Sequence, residues 1–112
     1  MSTMPNKTPE ADFQKTLIQM AQYKGWKIYH SPKRQMKRND GSTYYATAIT
    51  ADGKGYPDLT MVRNGRLIFA ELKTDSGRTS PEQDSWLEEL GKCAECYIWK
   101  PRMWAEIERT LE

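Results

Sequence analysis

Residues 55–73 have the sequence GYPDLTMVRNGRLIFAELK, in which runs rich in apolar and β-branched residues flank the pair Asn64-Gly65. Asn-Gly is the preferred pair for a two-residue type I′ turn, because both central residues of that turn take positive φ. The pattern therefore predicts a β-hairpin. With Arg63 facing Arg66 across the turn, the register of the two strands places Asp58 opposite Glu71.

The register also assigns side chains to the two faces of the sheet. Directly opposed residues share a face, as do residues two apart on one strand, so Asp58, Glu71 and Lys73 are expected to lie together. Three apolar residues continue that face toward the turn: Val62, Leu67 and Phe69. The opposite face is suited to a core and carries Leu59, Met61, Ile68, Ala70 and Leu72.

Two carboxylates that face each other across strands destabilise a sheet unless their charges are compensated. Either a cation lies between them or the pKa of one is strongly raised. A divalent metal held by Asp58 and Glu71 is the simpler solution. Lys73 would then place an ammonium group beside that metal, where it could hold a phosphate oxygen or orient a water.

Pro57-Asp58, followed on the next strand by Glu71-Leu72-Lys73, resembles the PD-(D/E)XK nuclease superfamily. Over roughly residues 10–111 the chain is similar to stand-alone VRR-NUC domains of phages and bacteria. Further residues carry that similarity: Gly55-Tyr56, Gln83, Trp86 and the run Tyr97-Ile98-Trp99-Lys100-Pro101.

The resemblance implies an α/β fold with a restriction-endonuclease-like core in the order αβββαβ, whose small mixed sheet is flanked by helices, plus a C-terminal helix. It implies a metal-dependent DNA endonuclease selective for branched DNA, similar to Holliday-junction resolvases, and a homodimer. One or two Mg²⁺ or Mn²⁺ ions would be bound by Asp58, Glu71, Glu10 and the backbone carbonyl of Leu72. Lys73 and Gln83 would complete the catalytic set.

The length and composition are those of a single small globular domain. The chain has 112 residues, of which 38% are hydrophobic and 29% charged, with a net charge of +2. No apolar run approaches the length of a membrane span or forms a signal-peptide core, so we expect a protein of the bacterial or phage-infected cytoplasm. Residues 1–7 are expected to be a flexible terminus, and residues 8–112 a single domain.

Basic residues are concentrated between Lys24 and Arg38, a segment without any acidic residue. A basic segment of this kind is either a solvated loop or a track for phosphates. On the second interpretation, the DNA contacts are Lys33, Arg34, Lys37, Arg38 and His30. His30 is the only histidine, and the alternatives for it are a general base or a hydrogen-bonded bystander.

Thr8-Pro9-Glu10 predicts the start of a helix with Phe13, Leu17, Ile18 and Ala21 on its inner face. Glu10 suits the positive end of the helix dipole, and the resemblance makes it a metal ligand. Trp26 to His30 predicts a strand. Within the long polar segment from Ser31 to Lys54, residues 44–49 favour a short strand, so an extra hairpin that reaches DNA is expected there. Tyr44 and Tyr45 in it could stack on bases or pack the loop.

Ser80-Pro81-Glu82-Gln83 has the pattern of a capping box at a helix start. Two roles compete for Gln83, because capping alone accounts for a glutamine here and the resemblance places it in the active-site wall. Gly91 is expected to end this helix. A last strand over residues 94–99 and a final helix from Pro101 follow, with Met103, Trp104, Ile107 and Leu111 facing inward.

Cys93 and Cys96 have the CxxC spacing, but the chain offers only His30 as a further zinc ligand of the usual kind. Ordinary reduced cysteines are expected. Two other functions remain open at this stage. One is a nuclease-like DNA-binding module without turnover, or a nuclease active only with a replication or repair partner; the other is a small interaction protein that uses the Trp-rich strand.

Overall fold

The computed structural model describes residues 10–31, 34–37, 39–46 and 51–112. Predictions for Thr8, Pro9 and the N-terminal segment lie outside this part of the chain. The elements in chain order are α1 (Glu10–Tyr23), β1 (Lys27–His30), β2 (Arg34–Lys37), β3 (Thr43–Ala46), β4 (Leu59–Arg63), β5 (Arg66–Leu72), α2 (Pro81–Leu90), β6 (Glu95–Trp99), a 3-10 turn (Pro101–Met103) and α3 (Trp104–Thr110).

Four strands form one mixed sheet in the order β1-β4-β5-β6. The β1-β4 and β4-β5 pairs are antiparallel, whereas β5 and β6 run parallel because α2 connects them as a crossover. Strands β2 and β3 form a separate antiparallel pair inserted between β1 and β4. Without that insertion the order is αβββαβ followed by a C-terminal helix, so the predicted fold class is confirmed.

The hairpin register is confirmed residue by residue, from Arg63 opposite Arg66 to Leu59 opposite Ala70. Asn64 and Gly65 both have positive φ, of 48° and 81°, as a type I′ turn requires. All five residues predicted for the core face of the hairpin are fully buried. The sequence pattern of this stretch therefore determined which side chains enter the core.

The core lies between that face of the sheet and the helices α1 and α3. Phe13 and Leu17 of α1 and Ile107 of α3 are completely buried against the sheet residues. Helix α2 lies on the other face, where Gln83 contacts Glu71. None of the helices in the described ranges combines the length and the apolar character that crossing a bilayer requires.

The inserted hairpin was expected between Ser31 and Lys54, and β2 and β3 form it. Strand β3 begins at Thr43 and includes Tyr44 and Tyr45, while residues 47–50 lie outside the described part. The final helix differs slightly from the prediction. Pro101 opens a 3-10 turn, and α3 begins only at Trp104.

Candidate active site

Asp58 and Glu71 lie together inside the protein, on the sheet face covered in part by α2. Their exposed fractions are only 4% and 2%. Asp58 directly precedes β4, and its carboxylate Oδ2 accepts a hydrogen bond of 2.8 Å from the backbone N–H of Leu72. Its backbone carbonyl accepts another from the N–H of Ser31, so Asp58 is held from both neighbouring strands.

Glu71 has two carboxylate oxygens in different surroundings. Its Oε2 accepts a hydrogen bond of 2.8 Å from Nε2 of Gln83 and lies 3.5 Å from Nζ of Lys73. Its Oε1 is buried, and no donor from the described residues reaches it. An acceptor of this kind, next to a second carboxyl group, lacks a proton or a cation.

Burial raises the pKa of Glu71 to about 8, and the adjacent charge of Asp58 adds to the effect, whereas the Lys73 ammonium opposes it. The pair of carboxyl groups therefore retains a proton to higher pH than an ordinary glutamate does. A proton shared by the two carboxyl groups and a cation between them are alternative solutions to the same repulsion.

Gln83 makes the capping contacts and also contacts Glu71, so the two positions that the sequence left in competition are compatible. Its Oε1 accepts from the backbone N–H of Ser80, and its own N–H donates to Oγ of Ser80, which completes the capping box. The remaining amide group, Nε2, donates to Glu71. If the side-chain amide were rotated by half a turn, its NH₂ group would face the N–H of Ser80 and its oxygen would face the carboxylate of Glu71. The two hydrogen bonds therefore fix the orientation of the amide.

The backbone carbonyl of Leu72 faces the same side as Asp58. In a planar trans peptide, the C=O of Leu72 points opposite to the N–H of Lys73. That N–H donates to the carbonyl of Trp99 on β6, so the Leu72 carbonyl points away from β6 and toward the strand that carries Asp58. The Leu72 carbonyl therefore lies on the Asp58 side of β5.

This donor set fits Mg²⁺ or Mn²⁺. Mg²⁺ is typically held by one or two carboxylates together with waters and substrate phosphates, and hard oxygen donors suit both ions. Within the described ranges, no group of three or more His, Cys, Asp or Glu side chains is placed to hold a metal. Glu10, half-buried at the start of α1, is thus not brought into a three-carboxylate cluster with Asp58 and Glu71.

Three aromatic rings form a wall beside the carboxylates. Tyr56 packs edge-on against Phe69, with 6.0 Å between ring centroids, and against Trp86 of α2 at 5.0 Å. Gly55, at φ +87°, lies so close to α2 that a Cβ would be 2.6 Å from the carbonyl carbon of Glu82. Gly55-Tyr56 and Trp86 are far apart in sequence, and the fold packs them together.

One contributor was missed by the sequence analysis. The hydroxyl of Ser31 donates to the carbonyl of Pro57, at 2.9 Å, and so holds the segment that carries Asp58 against the end of β1. Only the strand pairing brings Ser31 beside Asp58, and the prediction of β1 gave no register for that pair.

The predicted DNA contacts are only partly described. Arg34 and Lys37 are the first and last residues of β2, while Lys33 and Arg38 lie outside the described residues. His30 is exposed and pairs with Leu59, which places it on the sheet face opposite to the carboxylates. The structure does not bring His30 into the carboxylate site.

The two cysteines carry no disulfide. Burial, followed by the proximity of Cys93, raises the pKa of the Cys96 thiol, so that thiol is not an activated thiolate. No model of a known protein family matches this chain, and no curated protein matches it either.

Proposed function

We propose that this chain is a metal-dependent nuclease that hydrolyses phosphodiester bonds in DNA. The observation that carries the proposal is the pair of buried carboxyl groups, Asp58 and Glu71, with Lys73 Nζ 3.5 Å from Glu71. Burying two like charges together costs free energy that an ordinary surface hairpin avoids. Groups kept in such an arrangement, with a raised pKa, are typical of functional sites.

Asp58, Glu71 and the Leu72 carbonyl would hold a Mg²⁺ or Mn²⁺ ion between them. When bound, such an ion would neutralise charge on the phosphodiester and lower the pKa of a water molecule. The carboxylates must be free of protons to hold it, and Gln83 supports the required form of Glu71 by donating a hydrogen bond to Oε2.

Lys73 has a different task. Its side chain is only 19% exposed, and its backbone N–H is bonded to β6, so the ammonium group is presented at the site from a fixed strand. Negative charge increases on the phosphate oxygens in the transition state, and a fixed cation beside them stabilises that state more than the ground state. Lys73 is proposed as this cation.

The buried pair of Asp58 and Glu71 also argues against a module that binds DNA without cleaving it. Two buried carboxyl groups offer no contact to a phosphate backbone, and any negative charge on them would repel it, so a surface that only binds DNA has no use for them. The resemblance further leads us to propose branched DNA as the substrate and a symmetric dimer as the active form. Sedimentation that shows only monomers at high protein concentration would contradict the dimer.

The test is cleavage of a labelled panel that comprises a four-way junction, a flap, a fork, a linear duplex and a single strand, each with Mg²⁺, Mn²⁺ or EDTA. We expect cleavage with metal and none with EDTA. Lys73→Ala should lower the rate by at least about 100-fold, the usual loss for one electrostatic stabiliser. Asp58→Asn should abolish both cleavage and Mn²⁺ binding measured by calorimetry.

The matched control is Lys92→Ala, because the Lys92 side chain is 65% exposed on the turn after α2. It should cleave like the unmodified protein. Paired symmetric nicks on the junction would identify a resolvase. An Asp58→Asn/Lys73→Ala double variant that remains fully active would refute the assignment.

A further inference from the structure

The carboxylate face of the sheet continues well beyond the carboxylates. Strand pairing arranges its residues in three rows. Asp58 and Glu71 form the first row. The row nearest the turn begins at Val62, four positions after Asp58. The strand rise separates these two rows by roughly 13 Å. The middle row contains Tyr29, Thr60 and Phe69, and the third contains Lys27, Val62 and Leu67.

Helix α2 covers only part of this face. Its residues lie over β5 and β6, where Gln83 contacts Glu71, and Phe69 is only 7% exposed. Toward β1, no element of the described part of the chain covers the face: Tyr29 is 59% exposed, Val62 42% and Leu67 38%. We refer to Lys27, Tyr29, Val62 and Leu67 as the open face.

The open face has a positive charge. Lys27 is exposed there, and the strand positions of β1, β4 and β5 on this face include no acidic residue other than Glu71. Arg63 and Arg66 belong to the other face, where their guanidinium groups pack over the ring of Trp26. A depression of about 440 Å³ at the hairpin end is lined by Lys27, Val62 and Leu67 together with residues 63–66.

Thr60 connects the open face to the carboxylates. It lies directly between Tyr29 and Phe69 in the middle row, and no described residue hydrogen-bonds to its buried hydroxyl. The hydroxyl itself is shielded, so Thr60 contributes to this face by its position between the two aromatic residues.

We propose that the open face binds an unpaired DNA strand that continues from the carboxylate site. This inference rests on the proposed function, which locates the scissile phosphate at Asp58 and Glu71. A duplex presents phosphates and sugars on its outside, and these groups have little affinity for exposed valine and leucine. Unpaired bases instead expose flat apolar faces, which stack on an aromatic ring such as Tyr29, while Lys27 neutralises a phosphate.

The substrate on this proposal contains a single-stranded arm next to the cut. A fork or a flap offers such an arm directly, and a four-way junction offers it only where base pairs at the branch open. The open face extends roughly 13 Å from the carboxylates. It would therefore favour branched DNA in which an unpaired strand of at least that length lies next to the cut.

The experiment measures binding of a 12-nucleotide single strand carrying 2-aminopurine, and of a blunt duplex of the same length, both in EDTA. We expect tighter binding of the single strand and quenching of 2-aminopurine. Tyr29→Ala should weaken single-strand binding by about 5-fold to 100-fold, the loss expected for one base stack, and abolish the quenching. Tyr23→Ala is the matched control, because Tyr23 is 93% exposed on α1.

Lys27→Ala should lower the dependence of affinity on salt by about 0.7 in the log–log slope, since one phosphate contact to a single strand is lost. Lys15→Ala, on the exposed side of α1, should leave that slope unchanged.

The outcomes separate the two proposals. Cleavage of DNA that depends on Lys73, with single-strand affinity unchanged in Tyr29→Ala, would overturn the open face and leave the nuclease intact. Single-strand binding that depends on Tyr29, without any cleavage, would support the open face and count against the nuclease. If Tyr29→Ala and Leu67→Ser instead dissociate a dimer and leave DNA binding unchanged, the face is a protein interface and the inference is wrong.

Discussion

Glu71 destabilises the metal-free fold at any pH at which its side chain is ionised. Its carboxylate then lies buried against Asp58, and no described residue donates a hydrogen bond to Oε1. The unfolded chain pays no such penalty, since both groups are hydrated there. At this single residue, the requirement of the proposed chemistry and the requirement of stability are opposed. A cation that binds the pair removes the conflict, so metal binding is expected to stabilise the fold as well as to enable catalysis.

We predict that the metal-free protein loses stability as pH rises from about 4.5 to about 8. In the folded state the pKa of Glu71 is raised to about 8 from its ordinary value of 4.5. Between these values the folded protein holds a proton that the unfolded chain has released, so the free energy of unfolding falls with pH, by at most about 1.4 kcal/mol per pH unit. Urea denaturation in EDTA at pH 5, 6.5 and 8 measures this.

Glu71→Gln retains the shape of the side chain but does not titrate, so it should flatten this dependence and be the more stable protein at pH 8. Glu88→Gln is the control, because Glu88 is exposed on α2 and should retain the original slope. Equal slopes for Glu71→Gln and the unmodified protein would show that Glu71 does not hold the proton.

At the scale of elements, the site depends on how closely α2 approaches the segment before β4. Gly55 allows that approach. It has φ +87°, and the space where its Cβ would lie is occupied by backbone atoms of Glu82 and Gln83, at 2.6 Å and 2.8 Å. The first turn of α2 cannot yield there without moving Gln83, which is bonded both to Ser80 and to Glu71.

We predict that Gly55→Ala is more damaging than Gly65→Ala, although both positions have positive φ. Gly65, at φ +81°, has no atom within 4 Å of its potential Cβ, so alanine there meets only backbone strain of about 1–2 kcal/mol. Gly55→Ala adds overpacking against α2 of about 1–3 kcal/mol. Urea denaturation measures the difference.

Cleavage by Gly55→Ala should also fall well below that of Gly65→Ala at a temperature where both are folded, since Gln83 is displaced. Equal losses of stability in the two variants would mean that α2 moves away without cost. In that case Gln83 is not held by this contact.

The elements differ in how far the sequence could predict them. The register of β4 and β5 was predictable because Asn64-Gly65 admits one turn type and the alternation of apolar residues admits one facing. The face of His30 could not be predicted, because it follows from the pairing of β1 with β4, and β1 has no turn that fixes that register. Gln83 contacts both Ser80 and Glu71 only because α2 lies close to β5, and no local sequence pattern encodes that distance.

At the scale of the whole molecule, Trp26 and Arg63 hold the two ends of the described domain together. Trp26 follows α1 and is 3% exposed, and its Nε1 donates to the carbonyl of Leu111 after α3. The guanidinium group of Arg63 lies 4.6 Å from the centre of the indole ring. It donates from the hairpin to carbonyls of Lys24, Leu111 and Glu112. These contacts were invisible in the sequence, because they join segments up to 85 positions apart.

This arrangement predicts that Arg63→Lys destabilises the protein by roughly 1–3 kcal/mol, although the positive charge is retained. Lysine has no planar fork, so it cannot donate to three carbonyls in different segments while it stacks on Trp26, and carbonyls that it leaves behind lose a charged donor. Arg109→Lys is the matched control, because Arg109 is exposed on α3 and should change the free energy of unfolding by less than about 0.5 kcal/mol. Because the carboxylates lie on the opposite face of the sheet, Arg63→Lys should unfold at lower urea yet cleave normally while folded. Equal urea midpoints for the two variants would mean that Arg63 does not join the ends of the domain.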